Sequence, residues 1–463
     1  MTKTGSASPN RIRAAFSAAM SAMYRKEVPA YGTLMTLVAD VNQQALQRDP
    51  ILEGRLQRTG ELSRVSEERH GAIRLGTPAE LSTMRRLFAA MGMEPVGYYD
   101  LTEAGVPVHS TAFRPIGEDA LRRNPFRVFT SLLRLDLIED PGLRHEAQVL
   151  LDARRIFTDR CLALIERSET QGGLNEDEAA EFVREALETF RWHSDALVGP
   201  DLYQRLHDAH RLVADVVSFR GPHINHLTPR TLDIDAVQEL MPRRGISPKA
   251  VVEGPPTRKC PILLRQTSFK ALDEAVSFDG HKGQHTARFG EIEARGQALT
   301  PKGRALYDRL LTQARDQVRP KADGSNAADY IEALRQSFTG FPDDLDAIRR
   351  EGLGYFEFSL TEKANSLGDS VIDMDVEALI AAGCLRADPI TYEDFLPVSA
   401  AGIFQSNLGD DAAQDFQASP NRDRFEADLG AKVQDEFELY QSLQDGSLSR
   451  CLSTLGRSDI AAQ

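Results

Sequence analysis

Two stretches of this chain repeat each other in outline, and that repeat restricts the fold more than any other feature. Residues 66–92, SEERHGAIRLGTPAELSTMRRLFAAMG, read as a short strand, an amphipathic helix and a closing glycine. Residues 223–256, HINHLTPRTLDIDAVQELMPRRGISPKAVVEGPP, run in the same order. A short strand carries a histidine, a helix follows with Asp233 or Asp235 as its N-cap, and Gly245 precedes a further strand, KAVVEG. His70 to Gly92 spans 22 residues and His226 to Gly245 spans 19, so the units are of similar size. Both carry His-x3-Arg: His70 with Arg74, and His226 with Arg230. Residues i and i+4 of a strand share a face, so each unit can direct an imidazole and a guanidinium into one space. A divergent tandem repeat is the economical reading.

The rest of the chain is arranged around these units. Residues 1–60 form a helical N-terminal segment, with Ala, Met and Leu at helical spacing over 11–47 and breaks near Pro29 and Gly32. The first module occupies 61–116; in it, EPVGYYDLTEAGVPVHSTAFRP reads as a hairpin turning at Glu103, Ala104 and Gly105. Charged, helical periods over 117–220 predict a helical insertion. The second module, 221–296, adds the strands PILLRQTSF (261–269) and ARFGEIEARG (287–296). In the latter, Glu291 and Glu293 face one side and Ile292 the other. Residues 297–390 are mostly helical with one strand, GYFEFSL. Residues 391–463 comprise a cleft-lining stretch, YEDFLPVSAAGIFQSNL, and an acidic, helical, peripheral tail. The predicted fold is α+β: paired βαβββ modules forming a metal cleft, with large helical insertions.

Two histidines and one carboxylate, each from a separate strand, leave about half the coordination sphere of Fe(II) open. His70, His226 and Glu293 fit that set, and Glu291 competes with Glu293 on the same face, where periodicity does not separate them. His223 lies three residues before His226 and points the other way; His281 and His285 read as a solvated, Gly-containing loop. His207 and His210 sit in a charged helix without HExxH and receive no metal role. An arginine inside such a cleft needs an anion, so Arg74 meets either a ligand carboxylate or a nearby glutamate. Arg230 reads as a structural partner of Asp233 or Asp235, with its role open.

A formal charge of -14 disfavours nucleic acid or an anionic membrane as partner. The four cysteines are scattered without a CxxC pair and are expected as reduced thiols. The N-terminus lacks an apolar signal region, and there is no run of about 18 apolar residues, so a cytoplasmic protein is expected. Neither a GxSxG elbow nor a GxxxxGK loop is present.

MYRKEVPAYGTL, ERHGAIRLGT, HINHLTPRTLDID, RFGEIEARG and FLPVSAAGIFQSNL together resemble the 2-oxoadipate dioxygenase/decarboxylase family, which is similar to the vicinal oxygen chelate superfamily. The resemblance implies an Fe(II)-dependent enzyme of lysine catabolism that converts 2-oxoadipate and O2 into 2-hydroxyglutarate and CO2. On it His70, His226 and Glu293 match the iron ligands, and Arg74 matches the residue that binds the distal carboxylate of the 2-oxo dicarboxylic acid. Val398 matches a position whose backbone touches the substrate, with Ser399 beside it. Two other readings use the same scaffold. One is a non-redox isomerase or lyase of the vicinal oxygen chelate type, which an absolute O2 requirement would exclude. The other is a small-molecule binding protein, which would keep ligand affinity without metal.

Overall fold

Strand β1 (Arg69–Leu75) is buried along its whole length and is paired on both edges. The computed structural model describes residues 6–269, 273–286, 288–321, 324–366, 374–396 and 421–456. From β1 the chain enters helix α4 (Pro78–Ala89), where Thr77 caps the N-terminus by accepting from Glu80 N and Pro78 occupies the first turn. Leu81, Met84, Leu87 and Phe88 recur at helical spacing and are buried, so this face fixes the helix on the sheet. Gly92, at φ +66°, reverses the chain into β2 (Glu94–Asp100). The β2–β3 hairpin turns through Gly105 at φ +76° into β3 (Val108–Arg114), as the turn residues predict.

A fourth strand, β4 (Arg127–Leu133), then pairs antiparallel with β3 and parallel with β1. These four strands and α4 make one βαβββ module with sheet order β2-β3-β4-β1. Strand β4 lies inside the span expected to be a helical insertion, so apart from the short helix Glu118–Arg123 the inserted helices begin only after it. The reason is physical: a strand buried on both faces loses the polar alternation that marks a strand.

The second module repeats this plan with shorter pieces. Strand β6 (Leu227–Pro229) leads into α11 (Ile234–Leu240), capped by Asp233 Oδ1 accepting from Ala236 N at 3.0 Å. The segment KAVVEG forms no regular strand. Its Glu253 meets Gln266 of β7 (Leu264–Ser268) through an isolated antiparallel bridge, and Pro248, just before it, bridges Phe269, just after β7. Strand β7 pairs antiparallel with β10 (Glu291–Arg295), and β10 returns to the start of the module by a parallel bridge, Arg230–Glu293. The two modules meet where β1 and β6 pair antiparallel, His70 opposite Thr228.

Between β7 and β10 a hairpin of β8 (Asp273–Phe278) and β9 (His281–Thr286) leaves the module and pairs with β5 (Asp195–Ala196) of the helical insertion. The expected solvated loop at His281 and His285 is therefore a strand, with His285 buried. Helices cover both faces of the first sheet. Ile73 and Val128 face α1 (Pro9–Glu27) and α2 (Pro29–Arg48), while Ala72 and Phe129 face the insertion helix α10 (Arg211–Ser218) and Phe395. The expected peripheral tail is also corrected. Phe425 and Leu429 join the main core, and Tyr440 of the helix Glu436–Thr454 is buried. Among the described residues no helix is long and apolar enough to cross a membrane.

Candidate metal centre

His70 on β1, His226 immediately before β6 and Glu291 at the head of β10 converge where the modules meet. The imidazoles stand edge to face, with ring centroids 5.4 Å apart. Glu291 Oε1 lies 3.3 Å from His70 Nε2, and its Oε2 lies 3.9 Å from His226 Nε2. One ligand atom from each of the three falls within 4.8 Å of the others, and all three side chains are buried. Gly71 permits this approach. A Cβ there would lie 3.0 Å from the His226 carbonyl oxygen and 2.5 Å from Ile224 Cδ1.

Buried polar atoms normally find hydrogen-bond partners. Here both ring nitrogens of His70 and His226, and Glu291 Oε2, make no hydrogen bond of good geometry. Burial, and then the charge of His70, hold the His226 imidazole far below its ordinary pKa, so it is neutral with a lone pair available. Burial also raises the Glu291 carboxyl, although His70 partly offsets it. Two imidazoles and a carboxylate with unsatisfied atoms at one point suit a divalent cation, which would supply the missing interactions.

Glu293 occupies a different place from the one predicted. Its Oε2 lies 3.0 Å from His70 Nδ1, on the far side of the ring from Glu291. Arg295 grips Glu293 with two bonds, of 2.7 and 2.9 Å. Burial opposes its charge, yet Arg295 and then His70 outweigh it and bring the Glu293 pKa down to about 2. A carboxylate on the distal nitrogen of a ligating histidine fixes that ring's orientation. The structure thus gathers His70 and His226 with Glu291, while Glu293 stands behind His70.

Behind Glu293 lies a network of buried charge. Arg127 pairs with Glu68 at 2.8 Å and with Glu393; Arg64 pairs with Glu393 at 2.6 Å. Arg230 bonds Glu61 and Glu68, each at 3.0 Å, so neither Asp233 nor Asp235 is its partner. Four arginines (64, 127, 230, 295) face four glutamates (61, 68, 293, 393), which leaves the group formally neutral. Buried ions need such pairing to offset desolvation. Glu393 and Asp394 belong to the stretch read as a wall. Phe395, next in sequence, does line the centre, its ring 4.9 Å from that of His70. Two acids between aromatics, YEDF, were the available sign that this wall is also ionic.

Arg74 lies on β1 close enough for its charge to lower the His226 pKa. Its Nη1 donates to Asp215 Oδ2 at 2.7 Å, and Asp215 is a partner the repeat did not suggest. His223 is buried beside Asp215 and Asn225, away from the three converging groups. His210 accepts from Leu212 N at the start of α10. Val398 and Ser399 lie outside the described residues.

A βαβββ module and a second module on the same plan with shorter strands thus join over a buried cluster of two histidines and one carboxylate. The chain belongs to the 2-oxoadipate dioxygenase/decarboxylase family, whose model matches residues 16–407. It is 58% identical over 452 residues to the 2-oxoadipate dioxygenase/decarboxylase of Pseudomonas putida, covering 97% of each chain. It is 56% identical over 444 residues to that of Escherichia coli, covering 96% of this chain and 98% of the other. The crystal structure of the Pseudomonas putida hydroxyglutarate synthase in complex with 2-oxoadipate matches it with a TM-score of 0.92 at 56% identity, over 98% of this chain and 100% of that one.

Proposed function

We propose that this protein is an Fe(II)-dependent dioxygenase/decarboxylase that converts 2-oxoadipate and O2 into 2-hydroxyglutarate and CO2 in lysine catabolism. The observation that carries the reading is the convergence of His70, His226 and Glu291, buried, with Nε2 of both imidazoles and Glu291 Oε2 making no hydrogen bond of good geometry, in a chain so similar to enzymes of that name. Bound there, Fe(II) would supply redox chemistry with O2 and open coordination positions for a 2-oxo acid.

His70 and His226 would hold the metal through their imidazoles, with Glu291 as the anionic ligand in place of the expected Glu293. Glu293, locked by Arg295, keeps the His70 ring turned toward the metal. Phe395 on His70 and Phe289 on His226, at 4.9 and 4.8 Å between rings, shield the centre from water. Arg74 receives the distal carboxylate and so sets where the carbon chain lies relative to the reacting end.

The test is anaerobic loading with Fe(II), then addition of 2-oxoadipate and air while O2 uptake, CO2 release and products are followed. Equal O2 uptake and CO2 release with formation of 2-hydroxyglutarate is the expected result. Retained iron with no O2 uptake would overturn the reading in favour of a non-redox metal enzyme.

A further inference from the structure

Helix α10 reads RLVADVVS, and its residues from Leu212 to Ser218 are all buried. Asp215 is the one charged residue among them, set in a cluster of Val213, Ala214, Val216 and Val217. A carboxylate buried in apolar surroundings is costly unless it is paired. Three groups meet it. Arg74 Nη1 donates to Oδ2 at 2.7 Å, His285 Nε2 lies 2.9 Å from Oδ1, and His223 Nε2 lies 3.5 Å from Oδ1. On the far side of His285, Nδ1 is 2.8 Å from the hydroxyl of Tyr203, on the helix Pro200–Ala209. The acceptor carboxylate takes the Nε2 proton, and the Tyr203 hydroxyl, which can donate or accept, holds Nδ1. Trp192 stacks parallel to His285 at 6.2 Å and Phe219 packs on it at 4.7 Å, which fixes the ring.

The cluster has two histidines and a carboxylate, as the metal centre does. It differs in holding a guanidinium, and a second cation beside Arg74 would be repelled. Its geometry serves the arginine instead. The two arginines of the repeat have diverged: Arg230 is bound into the buried network by Glu61 and Glu68, whereas Arg74 pairs with Asp215 of the helical insertion. Asp215 and Tyr203 come from the helical insertion and His285 from the hairpin that leaves the second module.

We infer that Asp215, braced by His285 and Tyr203, is a positioning residue for Arg74 and thereby a determinant of selectivity for 2-oxo acids that carry a distal carboxylate. The inference rests on the reading of Arg74 given above. An arginine paired with Asp215 carries little net charge toward the cleft, so it attracts anions weakly and recognises a carboxylate by direction. Without Asp215 the guanidinium keeps its charge and loses the bond that directs Nη1.

The experiment uses the iron-loaded, full-length enzyme with 2-oxoadipate and with 2-oxohexanoate, which has the same length and no distal carboxylate. Asp215→Asn is expected to lower kcat/KM for 2-oxoadipate about tenfold and leave that for 2-oxohexanoate within about twofold. Anaerobic calorimetric titration should show a matching loss of 2-oxoadipate affinity. Tyr203→Phe removes one hydroxyl from a half-buried ring and preserves packing; it should lower the 2-oxoadipate value about two- to threefold. On an Arg74→Ala background, Asp215→Asn should have no further effect. Equal losses on both substrates, unchanged affinity, or losses that multiply in the double variant would overturn the positioning role. An Arg74→Ala enzyme that keeps its preference for 2-oxoadipate would overturn the reading of Arg74, and the inference with it.

Discussion

Glu291 and Glu293 are two residues apart on one strand face, and the structure gives them opposite energetic roles. Glu293 is one of four buried glutamates that neutralise four buried arginines, and it takes both Arg295 bonds. Glu293→Gln leaves four arginines facing three carboxylates. Breaking a buried pair in this way costs about 3–5 kcal/mol. Glu291 pairs with no arginine among the described residues, accepts from Gln266, and is raised in pKa by burial. In the metal-free protein its charge is unfavourable, so Glu291→Gln should leave stability unchanged or higher. Metal separates the two variants in a second way. Cation at about 100 times its Kd adds about 2.7 kcal/mol to the wild type. Glu291→Gln should lose that gain, whereas Glu293→Gln, with affinity weakened about 10–100-fold as for other partners of ligating histidines, should retain about 0.4–1.4 kcal/mol of it. Urea unfolding with and without Fe(II), under anaerobic conditions and with iron content measured per chain, reads all four quantities. Full iron retention and turnover in Glu291→Gln, together with iron loss at unchanged metal-free stability in Glu293→Gln, would refute the assignment and restore Glu293 as ligand.

Two further perturbations test the frame around the centre. His109 on β3 is buried with both ring nitrogens unpartnered, and burial, with Arg134 contributing, lowers its pKa to about 4. Between pH 6.5 and about 4 the unfolded chain binds a proton that the folded chain does not, so stability falls as pH falls. His109→Phe, which keeps a ring beside Phe425, should remove about 2 kcal/mol of the loss seen between pH 7 and 5 in urea unfolding; wild-type and variant curves that stay parallel would show that His109 does not drive it. Gly71→Ala should push the His226 segment from His70, cost about 1–3 kcal/mol and weaken iron retention. Ile224→Val in the same protein removes the 2.5 Å clash and should restore part of both; no recovery would place the strain elsewhere.

The repeat made half of the centre legible. His70, His226 and the alternation of Glu291, Ile292 and Glu293 follow from strand periodicity, and the structure shows both glutamates buried on one side with Ile292 in the core. Which glutamate converges with both histidines depends on how far β10 is offset along β6, set by the Arg230–Glu293 bridge and invisible to a period of two. Strand β4 escaped because both its faces are buried, and His285 because its partners, Asp215 and Tyr203, lie 70 and 82 residues away. Asp215 did leave a sign, a lone carboxylate in the apolar helix RLVADVVS, but a sequence does not say what pairs with it.

That division carries a functional argument. Residues common to both modules supply the two histidines, and their spacing is a property of the repeat. The two arginines hold equivalent places in the repeat, and what separates them is their partners: Glu61 and Glu68 of the first module for Arg230, and Asp215 of the helical insertion, with its bracing, for Arg74. Metal retention and substrate selectivity therefore rest on different parts of the chain. Changes at Tyr203, Asp215 or His285 should alter which 2-oxo acid is accepted while leaving iron in place, and changes at Gly71 or Glu291 should release iron whatever the substrate.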